Sequence, residues 1–382
     1  MGGKKILFIS HDASRTGAPF ILLHLIKWLK TNTNYKISLL LLDGGDLKEN
    51  FEKLVTTTYV WNPYQPDLRL HKRVLSKLTR KRQFVSFPKE LKGKKFDLIY
   101  ANTVASTYAL PQVQKHLASP VLLHVHENEY TIKNFYPNSL KREFTRLVSR
   151  FIAVSESTQD VLQNNYNVPE SKIDLIYEFV PFMNQKPDKT RAEVKNYLGI
   201  GNEIVIGGAG LTSWRKGVDL FVQVASEVVK NTPNTFKFVW VGSLLPEFEI
   251  KLAYELNRLG IPENAVVFTG KVPDPQNYLQ IFDLFFLSSR EDPFPLVCLE
   301  AAALSKPIMC FEHSGGMPEV INSKNGFILP YGDVDSAVRV IKSLTHNPAL
   351  LSILGQRAYD DFSKFDVHNQ AQKIYDIIET NF

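Results

Sequence analysis

At 382 residues, with 44% hydrophobic and 22% charged side chains, the chain has room for two domains with full cores and the composition of an ordinary globular protein. No apolar run approaches the ~20 residues that cross a bilayer, the start reads as lacking a signal peptide, and Cys298 and Cys310 lie in apolar runs, as core thiols of a reducing cytoplasm rather than metal ligands or a disulfide. The net charge of +6 hides an asymmetry, 25 Lys/Arg against 11 Asp/Glu in residues 1–150 and 20 against 28 in the remainder, so the two halves are expected to meet different partners.

Short β-like runs alternate with helical stretches along the first half. Strands are predicted at 5–10, 36–43, 56–61, 97–102, 120–127, 151–155 and 173–179, with helices at 19–30, 103–116 and 157–166. The alternation resumes with strands at 203–208, 236–242, 265–270, 284–288, 307–311 and 326–329, and helices at 218–230, 247–259 and 295–304. Continuous apolar strands between helices indicate parallel sheets covered on both faces. Each half is therefore predicted to be doubly wound α/β, with ligands at the carboxyl ends of its strands. The seam is placed near 180–187, where Pro181 and Pro187 close the first alternation, and the tail after Tyr331 reads as helices only.

Several strand ends carry polar constellations. After the first strand comes Ser10-His11-Asp12-Ala13-Ser14-Arg15-Thr16-Gly17-Ala18-Pro19, a loop opening into a helix whose free N–H groups suit an anion. It is not G-x-G-x-x-G and no acid ends the second strand, which disfavours NAD; a plain strand–helix turn accounts for the same residues. The run His124-Val125-His126-Glu127 closes another strand. His126 and Glu127 project from its end and could bind hydroxyls or orient a reacting group, while His124 reads as a core histidine. Further metal ligands at suitable spacing are missing.

In the second half, the glycine-rich segment 207–219 brings Arg215 and Lys216 to a strand end, a combination that suits a diphosphate. Walker spacing is absent, and an exposed basic turn is the alternative reading. Thr269-Gly270-Lys271-Val272 and Ser314-Gly315-Gly316 repeat the strand-end pattern more weakly. The helix 295–304 starts with Pro295 at its first position and is apolar on every face, so it should be buried. Yet Glu300 sits on the stripe of Leu296, Leu299, Ala303 and Leu304. A buried carboxylate is costly without a partner. Either a polar ligand lies on this helix start or Glu300 caps a neighbouring loop.

The order of Arg215-Lys216-Gly217, Val241-Gly242, 268–272, Asp292 followed by Glu300, Gly315-Gly316 followed by Glu319, and Asn325-Gly326-Phe327 resembles that of the family-4 retaining glycosyltransferases of GT-B architecture, over nearly the whole chain. The resemblance implies two Rossmann-like domains facing across a cleft. Residues 1–182 with a returning helix at 366–382 would bind acceptor, and residues 183–365 would bind a nucleotide-sugar donor. It further implies transfer of a hexose-type sugar from a UDP- or GDP-sugar to a saccharide or lipid-linked saccharide in surface polysaccharide or glycoconjugate biosynthesis, with retention and without a metal or other cofactor.

By the same resemblance, Arg215 and Lys216 would hold the diphosphate and Glu300 the ribose hydroxyls. Asp292 and the backbone N–H groups of Phe294, Leu296 and Val297 would hold sugar hydroxyls and a phosphate. Lys271 and Val272 would frame the base, Gly17 would admit the phosphates, and His126 would contact the transferred sugar. Three positions depart from the family pattern. Asp292 replaces its usual Glu, Phe294-Pro295 its Phe-Gly, and Leu211 its frequent second cation, which leaves Arg215 to supply that charge. Two other readings are a nucleotide-sugar 2-epimerase, which needs extra acids in the cleft, and a non-catalytic nucleotide-sugar-binding scaffold.

Ten cations crowd residues 71–95 (Lys72, Arg73, Lys77, Arg80, Lys81, Arg82, Lys89, Lys92, Lys94 and Lys95) against the single acid Glu90. Val74, Leu75, Leu78, Phe84, Val85 and Phe87 interleave with them, and Lys141, Arg142, Arg146 and Arg150 form a second basic stretch. The pattern suits peripheral contact with anionic lipid on the inner face of the cell membrane, each cation contributing ~1 kcal/mol. A solvated basic face or a polyanionic acceptor accounts for it too. Nucleic acid is disfavoured because no nucleic-acid motif accompanies the patch.

Overall fold

The computed structural model describes residues 3–63, 86–141, 145–262 and 264–382. β1 (Lys5–Ser10), β2 (Lys36–Leu41), β3 (Thr57–Val60), β4 (Leu98–Asn102), β5 (Val121–Val125), β6 (Arg150–Ala153) and β7 (Ile173–Leu175) form a sheet in the order β3-β2-β1-β4-β5-β6-β7. A second sheet holds β8 (Ile204–Ala209), β9 (Phe236–Val241), β10 (Val266–Phe268), β11 (Leu284–Leu287), β12 (Ile308–Phe311) and β13 (Gly326–Leu329), in the order β10-β9-β8-β11-β12-β13. Every neighbouring pair is parallel; Ile6, for example, stands opposite Ile37 on one side and Leu98 on the other. Parallel strands need covering on both faces. Accordingly Ile6, Leu7, Phe8 and Ile9 of β1 are all fully buried.

The covering helices follow from apolar spacing. α1 (Gly17–Asn32) buries Ile21, Leu22, Leu25, Ile26, Trp28 and Leu29 at helical intervals. α3 (Val218–Asn231) buries Phe221, whose ring lies 5.5 Å from Phe238 and 5.2 Å from Trp240. In both sheets the strand order reverses beside the first strand of the sheet, β1 or β8. Loops leaving strands on either side of such a point part from one another, and ligands of doubly wound sheets settle there.

The predicted helices need three corrections. The stretch 103–116 opens with a 3-10 segment, Val104–Ala109, ahead of α2 (Leu110–Leu117); Thr103, at a φ of 73°, caps it by accepting from Ala105 N. The stretch 157–166 is a short α-helix, Glu156–Asp160, continued by a π-helical turn, Val161–Asn165. Pro295 is not the first helical residue. It caps α4 (Leu296–Ala303) from an extended conformation, φ −68° and ψ 122°.

The chain divides into two compact units, Met1–Tyr177 with Gln370–Phe382, and Glu178–Asn369. These limits fall a few residues from the predicted 182/183 and 365/366. The segment after β7 is claimed by the second unit through the far end of the chain: Val180 N donates to Phe365 O at 3.3 Å, Val367 N to Val180 O at 3.0 Å, and Phe182 N to the Asp366 carboxylate at 2.9 Å. The later turns of α5 (Val367–Asn381) close on the first unit. Lys4 Nζ donates to Ile378 O at 3.0 Å, Tyr35 bonds Glu379, and the Tyr375 ring lies 6.1 Å from Trp28.

Among the described residues no helix is long and apolar enough to cross a membrane. Most of the basic stretch (Lys72, Arg73, Lys77, Arg80, Lys81 and Arg82, with Val74, Leu75, Leu78, Phe84 and Val85) lies outside the described residues, as does Arg142. Lys89, Lys92, Lys94 and Lys95 are exposed. Phe87, however, is a core residue and not a membrane-facing one: its ring packs 5.1 Å from Trp61 and 4.6 Å from His116. Cys298 and Cys310 are free and buried, and burial pushes the Cys310 thiol up to about 12. That matches their reading as core residues.

Candidate active site

In the second unit three strand-end loops meet around Asp292. Its carboxylate, 7% exposed, is ion-paired with Lys216 and lies 3.4 Å from Arg215 Nη1. Ser289 Oγ donates to the same carboxylate at 3.2 Å, and Arg215 Nη1 donates to Glu291 O at 2.7 Å. Burial works to raise the Asp292 carboxyl, but Lys216 and Arg215 outweigh it and hold it below the usual carboxylate range. At neutral pH Asp292 is therefore an anion with two cations gathered on it.

Backbone contacts make that gathering possible. Asp292 N donates to Ser314 O at 2.6 Å, and Asp292 bridges to Gly315. A Cβ on Gly315, at φ 126°, would stand 1.8 Å from Asp292 O, and one on Gly217, at φ 64°, would stand 1.9 Å from Ser288 O. Only glycine lets the loops approach this closely. Arg290 adds a tie. It forks onto Asp219 at 2.9 and 2.7 Å, donates to Trp214 O at 2.7 Å and lies 4.8 Å over the Trp214 ring. Its own amide donates to Arg215 O at 2.8 Å. The loop after β11 is thus fastened to the loop before α3.

The start of α4 follows directly. The amides of Leu296 and Val297 donate to no protein group among the described residues, and they sit at the positive end of the helix. Phe294 turns its ring into the core, 5.1 Å from Phe365. Glu300 is partly exposed instead of enclosed, and it has no hydrogen-bond or ion-pair partner among the described residues. Even with that opening to solvent, the loss of hydration among its apolar neighbours raises its carboxyl to about 7.

A folded pKa above the unfolded one means that the proton favours the fold. Stability is then complete below the unfolded value near 4.5 and declines as pH rises towards about 7. Glu300→Gln is accordingly expected to stabilise the protein at pH 8 by about 1–2 kcal/mol, a figure discounted for partial exposure. Thermal unfolding checks it: the gain should be present at pH 8 and vanish by about pH 4.

The first unit carries a separate polar cluster where β1, β4 and β5 end. His126 Nε2 lies 2.9 Å from Asn102 Oδ1, and Asn102 Nδ2 donates to Ala18 O, in the first turn of α1, at 3.0 Å. His124 is the core histidine expected, with Nδ1 2.7 Å from Tyr100 OH and its ring 4.0 Å from that of His126. Burial, and then the neighbouring His126, hold His124 well below the usual imidazole range. Glu127 does not project as a ligand group. It is buried, and its Oε2 accepts from His126 N at 3.0 Å and Val104 N at 3.2 Å. Burial raises its carboxyl, and these bonds only partly oppose the rise.

The second unit brings together Arg215, Lys216, Asp292 and the start of α4. Lys271 and Val272 follow β10 at the edge of that sheet, and Gly17 and His126 belong to the first unit. Sequence reasoning did not find Asn102, Ser289 or the Arg290–Asp219 fork. The first two are plain polar residues at strand ends. The fork joins side chains 71 residues apart, which no local pattern reports.

Residues 16–182 match the family model described as Glycosyltransferase Family 4, and residues 191–361 the model described as Glycosyl transferases group 1. The Escherichia coli UDP-Gal:alpha-D-GlcNAc-diphosphoundecaprenol alpha-1,3-galactosyltransferase is 23% identical over 368 residues, 91% of this chain and 90% of that one. The Staphylococcus aureus capsular polysaccharide biosynthesis glycosyltransferase CapM is 25% identical over 233 residues, 59% of this chain and 60% of that one. The crystal structure of Anabaena HepE in complex with UDP and glucose matches with a TM-score of 0.80 at 22% identity, over 99% of this chain and 100% of that one, and the shared fold is GT-B. The chain belongs to the family-4, group 1 glycosyltransferases.

Proposed function

We propose that the enzyme transfers a hexose-type sugar from a nucleoside diphosphate sugar to a saccharide or lipid-linked saccharide, in the assembly of a surface polysaccharide or glycoconjugate. Transfer would proceed with retention at the anomeric carbon and without a required divalent metal, at the cytoplasmic side of the membrane. Lys216 and Arg215, gathered on buried Asp292 beside the start of α4, carry the reading. The E. coli relative, named for a UDP-sugar donor and a diphosphoundecaprenol acceptor, supports the acceptor class, and HepE, solved with UDP-glucose, favours a uridine nucleotide over a guanosine one.

In this reading the scissile bond leaves its electron pair on the diphosphate. Arg215, Lys216 and the amides of Leu296 and Val297 stabilise that charge at a fixed site. Asp292 holds the two cations and offers its remaining lone pairs to sugar hydroxyls. Glu300 binds the ribose, Lys271 and Val272 frame the base through their backbone, Gly17 admits the phosphates, and His126 contacts the transferred sugar.

Incubation with a panel of UDP- and GDP-sugars, in buffer with and without EDTA, tests the proposal. Slow acceptor-independent release of nucleoside diphosphate from one donor, unchanged by the chelator, is expected. Isomerised donor would mean an epimerase, and no turnover of any donor would leave only a binding scaffold. For the basic stretch, reversing the charge of Lys77, Arg80, Lys81 and Arg82 is expected to weaken binding to anionic vesicles at least tenfold, since each cation contributes roughly 1 kcal/mol near such a surface. Unchanged co-sedimentation with the vesicles would end the membrane reading.

A further inference from the structure

Asn102 is the last residue of β4, fully buried, standing opposite Ser10 of β1 on one side and His124 of β5 on the other. It sits on the last rung of the first sheet, at the point where strand order reverses. Its amide has two different jobs. Nδ2 donates to the carbonyl of Ala18 beside Gly17 at the start of α1, at 3.0 Å. A carbonyl can only accept, so this bond sets the orientation of the amide and turns Oδ1 towards His126 Nε2 at 2.9 Å. An amide oxygen only accepts as well, so Nε2 is the ring nitrogen that carries the hydrogen, and in the neutral ring Nδ1 is the acceptor.

We propose that Asn102 is a positioning residue, which holds His126 as the Nε2–H tautomer and links that ring to the start of α1. The proposal deepens the reading of His126 as the group that contacts the transferred sugar, and rests on it. The surroundings agree. Thr103, the next residue, is held at a left-handed φ of 73° with its hydroxyl accepting from Ala105 N at 2.8 Å, and such strain collects where a neighbour must be placed accurately. The His124 ring lies 4.0 Å from that of His126, tilted by 43°, and Glu127 accepts the His126 backbone amide. The titratable groups of this cluster are His11 and Asp12 after β1, His124 on β5, Glu127, and Tyr136 after the helix that follows β5. A charge on His126 is attracted by Glu127 and repelled by a charged His11 or His124.

Long-range nitrogen–proton correlation spectra of the histidines in the full chain, with His126→Gln to assign the signal, test the proposal. The native enzyme should show the Nε2–H pattern at His126. Asn102→Ala should mix the tautomers and lower donor turnover roughly tenfold, with KM changed less than about threefold. Asn102→Asp, which keeps the acceptor and fills the same buried space, should raise the His126 pKa by about one unit or more. An unchanged Nε2–H pattern in Asn102→Ala, or an unchanged His126 titration in folded Asn102→Asp, overturns the proposal. If the tautomer shifts but turnover does not, the positioning role is overturned through His126 itself. His126→Gln then turns over normally, which separates that failure from a wrong assignment of Asn102.

Discussion

Lys216→Ala is expected to lower turnover by about a thousandfold or more, the scale on which a fixed charge partner of a leaving group acts. Activity alone would not settle its role, because the same side chain neutralises Asp292, which is 7% exposed. Without Lys216, Arg215 at 3.4 Å and Ser289 at 3.2 Å are the side chains left facing that carboxylate among the described residues. Removing one partner of a buried pair costs about 3–5 kcal/mol, because the remaining charge is stranded. Adding Asp292→Asn removes the stranded charge. The double variant should thus regain most of the lost thermal stability and none of the turnover. Recovery of turnover together with stability would show that Lys216 serves the fold alone.

Gly315→Ala is expected to damage stability and chemistry together. The new methyl group would stand 1.8 Å from Asp292 O, at a φ of 126° that L side chains rarely adopt. The backbone must then separate, with loss of the 2.6 Å bond from Asp292 N to Ser314 O. A cost of about 3 kcal/mol is expected, or roughly 6–12 °C in thermal unfolding of a unit of this size. Donor affinity should fall as Asp292 swings away from Lys216. Gly270 provides the comparison: its φ is 70° but nothing lies within 4 Å of a Cβ there. Gly270→Ala should cost only the left-handed backbone, about 1 kcal/mol. Calorimetry of the two variants separates steric conflict from backbone preference; equal losses would refute the steric account.

Much of the architecture was legible because parallel sheets write themselves as apolar runs of period-free hydrophobicity. Thirteen runs were placed as strands, and each became one, with the carboxyl ends named in advance as the working edge. What escaped depends on contacts between distant residues. Glu300 looked like an enclosed acid on an apolar stripe, yet α4 leaves it partly exposed, since a helix of eight residues presents only some of its faces to the sheet. Asp292 was placed with the helix-start amides on the sugar hydroxyls and a phosphate, and its ion pair with Lys216 went unseen because it spans 76 residues. Glu127 looked like a free strand-end acid until the backbone amides of His126 and Val104 came to rest on it. Phe87 sat among cations in the sequence, and only packing against Trp61 and His116 reveals it as core.

The way α5 closes the first unit has a consequence for how the protein is made. The second unit is continuous in sequence, Glu178–Asn369, whereas the first is split and needs Gln370–Phe382 to finish. A chain emerging from the ribosome therefore presents Met1–Tyr177 before the second unit and the Gln370–Phe382 segment that completes it only after that unit. Until residues 370–382 are released, Trp28 and Tyr35 lack Tyr375, and Lys4 lacks the Ile378 carbonyl and Glu379. Vectorial synthesis, which ordinarily lets the leading domain fold ahead of the rest, here reverses the order in which the two units mature, and a prematurely terminated chain would carry a finished trailing unit beside an unfinished leading one.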